Sequence, residues 1–177
     1  MKSRLTVAAL AAALTATASA QEVLVLSSGD PNLDAAVLAV LSANGLNGTI
    51  GTAFHQFTGT ENLCNYDCIY MQSNFNWAAG TMPNEGQLAI LDVISRGGGF
   101  ITTEWSVWRS GVGGFATLLP AFAVQPSATF NSAGTTTYTQ ATPDPTINAG
   151  VPTSFTFNLD NYAGTNNQLI PKPTVTV

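Results

Sequence analysis

Charged residues are scarce in this sequence, since Asp, Glu, Lys and Arg together make up 8% of its 177 residues. Basic residues are the scarcest, with five Lys and Arg against ten Asp and Glu. Nucleic acids and anionic membrane surfaces bind proteins through basic patches, so the composition argues against both as partners. After the N-terminal segment, no apolar run reaches the twenty or so residues that span a bilayer. No cofactor-binding motif stands out, and we expect no cofactor.

The first twenty residues have the features of a secretory signal peptide. Lys2 and Arg4 form a basic n-region, Leu5–Leu14 is a short apolar run, and Ala18–Ala20 (ASA) gives an A-x-A cleavage site. We therefore expect a mature chain, Gln21–Val177, that is secreted, periplasmic or held at the cell surface. Its length suits one domain with a hydrophobic core. Removal of the two basic residues takes the net charge from −5 to −7.

Cysteine is nearly absent, and Cys64 and Cys68 are the only two. Both lie in the part predicted to be exported, where thiols tend to be oxidised, so we predict a disulfide that closes a small loop before a strand. Two free thiols and a metal site are the alternatives. A zinc site needs four ligands, and the single histidine with two cysteines supplies only three.

A strand and a helix open the mature chain. Glu22–Leu26 (EVLVL) predicts a strand that is buried on both faces. In the turn that follows, Asp30 is placed to cap a helix and Pro31 to occupy its first position. Apolar residues then recur at helical spacing up to Asn44-Gly45, a usual helix end. They are Leu33, Ala36, Val37, Val40 and Leu41.

Further strands alternate with helical segments. The predicted elements are strands at Thr49–Phe57, Cys68–Gln72 and Phe100–Trp105, and a helix from about Asn84 to the glycine run Gly97–Gly99. We expect Phe100–Trp105 to lie in the middle of the sheet. The alternation predicts an α/β fold of the flavodoxin-like type, a doubly wound, mostly parallel open sheet with helices on both faces.

The last third of the chain has a different character. Gly111–Phe122 predicts a short helix, and the remainder is rich in Thr, Asn and Pro. Its β-prone stretches include Thr135–Thr139 and Ser154–Leu159. No repeat or linker is visible, so residues 21–177 are expected to form one domain with a β-rich, irregular C-terminal part. The final residues resemble the beginning of a strand, which leaves open a domain truncated at its C-terminus.

Three segments carry a family resemblance. They are Tyr66–Tyr70 (YDCIY), Gln87–Phe100 (QLAILDVISRGGGF) and Asp144–Tyr162 (DPTINAGVPTSFTFNLDNY). They resemble three parts of the class I glutamine amidotransferase-like superfamily, most closely of its trehalose-utilisation (ThuA-like) domains. Those parts are the third strand, the helix and glycine run before the central strand, and a segment with Gly-x-Pro, Phe and an acidic-x-Tyr motif. The likeness extends over most of the mature chain and implies the same doubly wound fold.

The catalytic residues of the amidotransferases are missing. Those enzymes need a Cys nucleophile on the sharp turn after the central strand, where the thiolate attacks an amide and a neighbouring His shuttles the proton. Here that turn reads Thr102–Ser106 (TTEWS), with Glu104 where ThuA-like domains often carry a His. Cys64 and Cys68 precede the third strand and cannot substitute. The resemblance therefore implies the fold without glutamine hydrolysis.

Polar and aromatic residues follow the predicted strands, at the edge where open α/β sheets bind ligands. They are Ser28, Gly29 and Asp30 after the first strand, His55 on the second, Gln72, Ser73 and Asn74 after the third, and Glu104 and Ser106 after the fourth. Trp77, Trp105 and Trp108 are expected at the same edge, where their faces suit sugar rings. From these we select six candidate ligand-binding residues: Asp30, His55, Asn74, Trp77, Glu104 and Trp105.

Each candidate also has a structural interpretation. Asp30 suits a helix cap, and a lone His is often simply hydrogen-bonded or exposed. Glu104 is as well explained by an ion pair with Arg96 or Arg109, because a carboxylate at the end of a buried strand needs a partner. The tryptophans also suit packing beneath long loops.

Three functional hypotheses follow. The first is a non-catalytic exported domain that binds a carbohydrate or another small polar ligand, or a surface partner, at the strand ends. The second is a carbohydrate-active enzyme with Glu104 and His55 as acid or base, since a histidine pKa lies near neutrality. The third is a structural or surface-assembly protein. Oligomeric state is left open by the sequence.

Overall fold

A computed structural model describes residues 20–73, 80–111, 113–131, 134–140, 151–159 and 166–173. Its strands are β1 (Glu22–Leu26), β2 (Asn47–Gly51), β3 (Cys68–Met71), β4 (Gly99–Thr102), β5 (Val124–Asn131), β6 (Gly134–Thr139), β7 (Ser154–Leu159) and β8 (Asn166–Pro171). Its helices are α1 (Pro31–Ala43), α2 (Asn84–Ser95) and α3 (Glu104–Gly111), with 3₁₀ turns at Leu63–Asn65 and Leu119–Ala121. The predicted signal peptide lies almost entirely outside these ranges, as does Thr174–Val177.

The first four strands form one parallel sheet in the order β2-β1-β3-β4. This sheet, with helices between its strands, confirms the α/β class. Leu24 on β1 and Ile69 on β3 are fully buried on the face that α2 covers. The opposite face carries Val25, which is also fully buried, and α1 covers β1 and β2 there. Burial of β1 on both faces explains why its sequence is an unbroken apolar run.

The first βα unit matches the prediction closely. β1 spans the predicted residues, and the Asp30 side chain accepts a hydrogen bond from the backbone N–H of Asn32 at 2.8 Å as the N-cap of α1. Pro31 opens the helix, and Asn44 caps its C-terminus. Gly45 follows with a φ of 74°, a left-handed conformation that glycine adopts at little cost.

The second strand is shorter than predicted and earlier in the chain. β2 is Asn47–Gly51, whereas the prediction extended the strand to Phe57. Phe54 and Phe57 are 1% and 0% exposed, and they reach the core from the turn that follows the strand. Because these apolar residues follow the strand directly, the sequence pattern suggested that the strand continued to Phe57. His55 lies in the same turn, not on a strand.

The prediction for Phe100–Trp105 is wrong in two respects. β4 ends at Thr102, and Glu104 and Trp105 form the first turn of α3. β4 is also the last strand in the order of the described sheet, not a central one. The helix prevails because its spacing places Val107 in the core, at 4% exposure, with Ser106 and Ser110 also buried. Glu104 and Trp105 thus project from a helix.

The C-terminal strands pair antiparallel in two separate ribbons, β5 with β8 and β6 with β7. This confirms the β-prone segments Thr135–Thr139 and Ser154–Leu159, which pair with each other. Tyr138 and Phe155 lie directly opposite and stack with their ring centroids 5.6 Å apart. α3 packs against β5 and so joins the β5–β8 ribbon to the part of the fold that contains the sheet.

The predicted disulfide is absent, and both cysteines are free thiols. Cys64 is exposed on a 3₁₀ turn, with its Sγ 3.7 Å from a guanidinium nitrogen of Arg96. Cys68 begins β3, and its Sγ packs beside the neighbouring strand, 3.1 Å from where a Cβ on Gly99 would lie. The two side chains thus pack against different neighbours. Burial, and to a lesser degree the charge of Asp67, raises the pKa of the Cys68 thiol.

The helices of the described ranges are all too short or too polar to cross a membrane.

We expect Gly86→Ala to destabilise the protein. A Cβ at this position would lie 2.1 Å from the carbonyl oxygen of Phe57, a backbone atom that cannot move without shifting the turn. Forced overpacking of this kind costs about 1–3 kcal/mol in the free energy of unfolding, measurable by urea denaturation. Leu88→Ala on the same helix is the control because Leu88 is 51% exposed, and it should cost about 0.5 kcal/mol or less. Equal effects for the two variants would show that this close approach is unimportant.

Candidate functional site

The carboxyl ends of β1 and β3 meet at the point where the order of strands reverses. From β1 the chain crosses to β2 on one side, while β3 pairs on the other side and leads to β4. In open α/β sheets, ligand crevices form at such a switch point. The residues here are Ser27 and Ser28 after β1, and Gln72 and Ser73 after β3.

A buried carboxylate occupies the switch point. Asp34 of α1 is 8% exposed, and it accepts hydrogen bonds from groups of both strands. The donors are the Ser27 hydroxyl at 2.5 Å, the Ser28 N–H at 3.2 Å, the Ser28 hydroxyl at 3.3 Å and the Gln72 side-chain amide at 3.2 Å. We call Asp34 and the three residues that donate to it, Ser27, Ser28 and Gln72, the Asp34 cluster. Four donors offset the cost of removing a carboxylate from water.

Asp34 was not among the residues predicted from the sequence, although a signal was present. Asp34 is the only charged residue of α1, and it lies within one turn of the N-terminal end that faces the strand ends. A single carboxylate in an otherwise uncharged helix is a candidate for a specific partner. The carboxylate predicted from the sequence was Asp30, whose side chain caps the helix.

Three hydroxyl groups form a second cluster, after β3 and β4. The Ser73 hydroxyl lies 2.5 Å from that of Ser106 and 3.1 Å from that of Thr103. Ser73 and Ser106 are 4% and 0% exposed. A hydroxyl can donate and accept, so Ser73 can donate to one of these neighbours and accept from the other, and the two bonds join the end of β3 to the start of α3. Among the described residues, these hydroxyls bond to one another and to no histidine or carboxylate, so these contacts do not form a serine nucleophile activated by a base.

His55 packs edge-on against the ring of Phe54, with the ring centroids 5.4 Å apart. Its Nδ1 atom is buried and has no hydrogen-bond partner within the described ranges. The residues that line the cavity beside Glu104 include neither His55 nor Asp30. The structure therefore does not bring either residue to a cavity with Glu104.

Trp105 and Trp108 pack against each other in an edge-to-face arrangement, with the ring centroids 5.4 Å apart. They line a cavity of about 10 Å³ together with Ser73 and Arg109. A space of this size holds about one water molecule. Two further candidates, Asn74 and Trp77, lie outside the described residues.

Glu104 is bonded to the C-terminal ribbon. The Tyr138 hydroxyl of β6 donates to its carboxylate at 3.2 Å, so the structure shows a tyrosine where the sequence suggested Arg96 or Arg109 as the partner. Arg96 instead pairs with Asp92 at 2.9 Å. Burial first, and then the charge and hydrogen bond of Glu104, raise the pKa of Tyr138 to about 12.

Glu104 also lines a cavity of about 240 Å³ at the carboxyl end of β4, which we call the β4 cavity. Its walls are mainly apolar and come from β4, α3 and the chain before β5. They comprise Phe100, Thr102, Thr103, Glu104, Val107, Ala121, Phe122, Ala123 and Val124. The Thr102 hydroxyl oxygen is buried and has no hydrogen-bond partner in the part of the chain that the structure describes. A buried hydroxyl without a partner is uncommon and calls for an explanation.

Two polar clusters and one cavity therefore lie along the strand ends. Within the Asp34 cluster, the polar groups form hydrogen bonds with one another, and the same is true within the hydroxyl cluster. The β4 cavity differs because Thr102 supplies a hydrogen-bonding group that other described residues leave unused. No group of three or more His, Cys, Asp or Glu within the described ranges is arranged to hold a metal ion.

We expect Asp34→Asn to destabilise the protein by about 1–3 kcal/mol, because a neutral amide accepts weaker hydrogen bonds and brings donors of its own among existing donors. The free energy of unfolding measures this. Asp92→Asn is the matched control, since Asp92 is an exposed carboxylate in a surface ion pair with Arg96, and it should change stability by less than about 1 kcal/mol. An Asp34 variant as stable as the control would contradict a structural role for the cluster.

We expect Glu104→Gln to lower the pKa of Tyr138 from about 12 towards its ordinary value of 10, with burial keeping it above that value. Because folding raises this pKa, the neutral phenol stabilises the folded state fully below pH 10, and the contribution is lost as the pH rises through about 12. Alkaline titration of tyrosinate absorbance measures the shift, with Tyr138→Phe identifying the component that belongs to this residue. An unchanged titration curve in the Gln variant would show that the two groups do not interact.

Comparison with protein-family models, with curated proteins and with solved structures finds no match for this chain. The ThuA-like resemblance therefore depends on the three quoted segments, of which Asp144–Tyr162 lies partly outside the described residues.

Proposed function

We propose that this protein is an exported, non-catalytic binding domain that holds a small hydroxyl-bearing ligand, of about the size of one sugar ring, in the β4 cavity. The observation that carries the proposal is the buried Thr102 hydroxyl, unpaired among the described residues, in the wall of a cavity with a carboxylate at its edge. After rotation of the Thr102 side chain towards the cavity, a ligand hydroxyl would satisfy its buried hydroxyl group, and a second ligand hydroxyl would donate to Glu104.

The chemistry of the walls favours this class of ligand. Phe100 and Phe122 stack with their ring centroids 6.2 Å apart, and both line the cavity. Ligand sites are usually apolar concavities with a few polar groups that fix orientation. A sugar ring has apolar C–H faces and polar rims, so it matches aromatic walls with a carboxylate and a hydroxyl at the edges. The volume of about 240 Å³ is below the range of roughly 300–1,000 Å³ typical of drug-sized ligands, so a single ring is favoured.

The fold supports the same location. The strand order β2-β1-β3-β4 is that of the first four strands of a flavodoxin-like sheet, where ligands bind beyond the carboxyl ends of the strands. On this proposal the domain is a ThuA-like relative. Its ligand site lies at the end of the fourth strand, as in that superfamily, but the Cys nucleophile of the amidotransferases is missing there. Export follows from the predicted signal peptide.

We expect Thr102→Val to weaken binding of a monosaccharide about tenfold, because one hydrogen bond to the ligand is lost. Calorimetry with a panel of neutral hexoses and small polyols identifies the tightest ligand and measures the change. Val has the shape of Thr without the hydroxyl, and removal of an unpaired buried hydroxyl should leave the free energy of unfolding unchanged or increase it.

Thr52→Val is the matched control, since Thr52 is exposed after β2 and does not line the β4 cavity. It should bind the ligand as the parent protein does. Binding that is equal in the two variants would contradict the proposed site, and absence of binding across the whole panel would contradict the proposed ligand class.

A further inference from the structure

Three parts of the chain enclose the β4 cavity, and they are held in place in different ways. β4 belongs to the parallel sheet, and α3 is anchored in the core by Val107, which is 4% exposed. The third side is the chain between α3 and β5. We call residues 119–124 of this chain the wall segment, because residues 121–124 line the cavity. The position of the wall segment therefore determines the width of the cavity.

The wall segment is anchored on its inner side by one aromatic ring. Phe122 is 3% exposed and packs against Phe100 and Phe115, with ring centroids 6.2 and 6.4 Å apart. Its N–H donates to the carbonyl oxygen of Leu119 at 3.3 Å and closes the 3₁₀ turn Leu119–Ala121. A single turn is too short to hold its own shape in water. Contacts from outside the segment therefore matter for its conformation.

Lys172, directly after β8, binds the wall segment at two points. Its backbone N–H donates to the carbonyl oxygen of Ala123 at 3.1 Å, and its side-chain ammonium donates to the carbonyl oxygen of Leu119. These two acceptors lie on either side of Ala121 and Phe122, which line the cavity. A hydrogen bond from an ammonium is about twice as strong as one between neutral groups. One residue thus fixes both ends of the cavity-lining turn.

The sequence around Lys172 restricts its backbone before the contact forms. Lys172 lies between Pro171 and Pro173, so it supplies the one backbone N–H of these three residues. A proline ring fixes its own φ, and a residue that precedes proline is confined to extended conformations. Pro171 pairs with Val124 in the β5–β8 ribbon, which places Lys172 next to Ala123. The direction of the Lys172 N–H is therefore preset by sequence and by strand register.

The ammonium of Lys172 is used in an unusual way for this chain. Lys172 is the one basic residue after Arg109. A lysine that serves solubility alone keeps its ammonium in water. Here the ammonium is bonded to a peptide carbonyl, and fixing a long side chain costs rotamer entropy that the bond has to offset. This contact is thus a specific one, and its acceptor belongs to the wall of the cavity.

We infer that Lys172 is a positioning residue for the β4 cavity, because it holds the wall segment at the distance from β4 and α3 at which the cavity fits its ligand. Lys172 does not itself line the cavity and acts through the two carbonyl groups that it binds. The part of this inference that concerns the ligand rests on the proposed function. The part that concerns the wall segment is independent of it, since the contacts form without a ligand.

Hydrogen exchange of the ligand-free protein tests the position of the wall segment. Lys172→Met keeps the backbone N–H and a long side chain but removes the ammonium. The amide of Phe122, which shares its acceptor with that ammonium, should exchange at least about tenfold faster in this variant. The amide of Val25 in β1 should exchange at its parent rate. Arg96→Met is the matched control, since it removes one positive charge from a side chain that does not line the β4 cavity.

Binding measurements test the consequence for the ligand. With the tightest ligand of the hexose and polyol panel, Lys172→Met should raise the dissociation constant about tenfold, because the wall no longer holds its position. Lys172→Arg restores a cationic donor and should recover most of the affinity. The Arg96→Met control should bind as the parent protein does.

Unchanged exchange of the Phe122 amide in Lys172→Met overturns the inference. Exchange that accelerates equally at Val25 also overturns it, because the effect would then be a loss of global stability. An affinity equal to that of the parent, in a variant whose Phe122 amide exchanges faster, shows that the wall has no bearing on the ligand and has the same consequence. If no member of the panel binds, the proposed function fails, and the exchange of Phe122 still decides whether Lys172 positions the wall segment.

Discussion

A buried carboxylate needs hydrogen-bond donors around it to replace water. The first half of this fold is arranged around one such carboxylate, that of Asp34. Asp34 sits at the switch point of the sheet, where it binds the turn after β1 and the end of β3 simultaneously. These contacts join three elements that are separate in sequence. They fix where α1 begins relative to the strands, and this in turn determines which side of α1 faces the sheet and which faces outwards. Both the internal polar network and the apolar outer surface of the helix follow from that orientation.

Much of the sheet could be read from the sequence because local and global signals agree there. β1 is an apolar run that is followed by a turn and a capped helix, and its bounds are those predicted. The end of α2 at Arg96 and the following glycines is equally clear, since Gly97 adopts a φ of 89° that disfavours other residues. In these segments, backbone preference and hydrophobic period point to the same structure.

The site was less predictable because tertiary contacts decide it. Glu104 looks like the end of a strand, yet it begins a helix whose register is set by burial of Val107 three residues later. Its partner, Tyr138, lies on a ribbon 34 residues away, and no local pattern connects the two. The cysteines illustrate the same limit. Their spacing suggests a bridge, and only the packing of Cys68 beside Gly99 and of Cys64 beside Arg96 shows that the side chains are engaged elsewhere.

The shortness of β4 has a consequence for a chain with little charge. β4 is one of the two edge strands of the described sheet, so a foreign strand could pair with its peptide groups, and the chain as a whole has few charged residues to discourage such pairing. β4 has only four residues, and the chain turns into α3 almost immediately after it. Any ladder built on this edge would be four residues long, too brief to template growth. Pairing at this edge of the sheet is thus limited by the length of one strand, a form of protection that composition alone does not reveal.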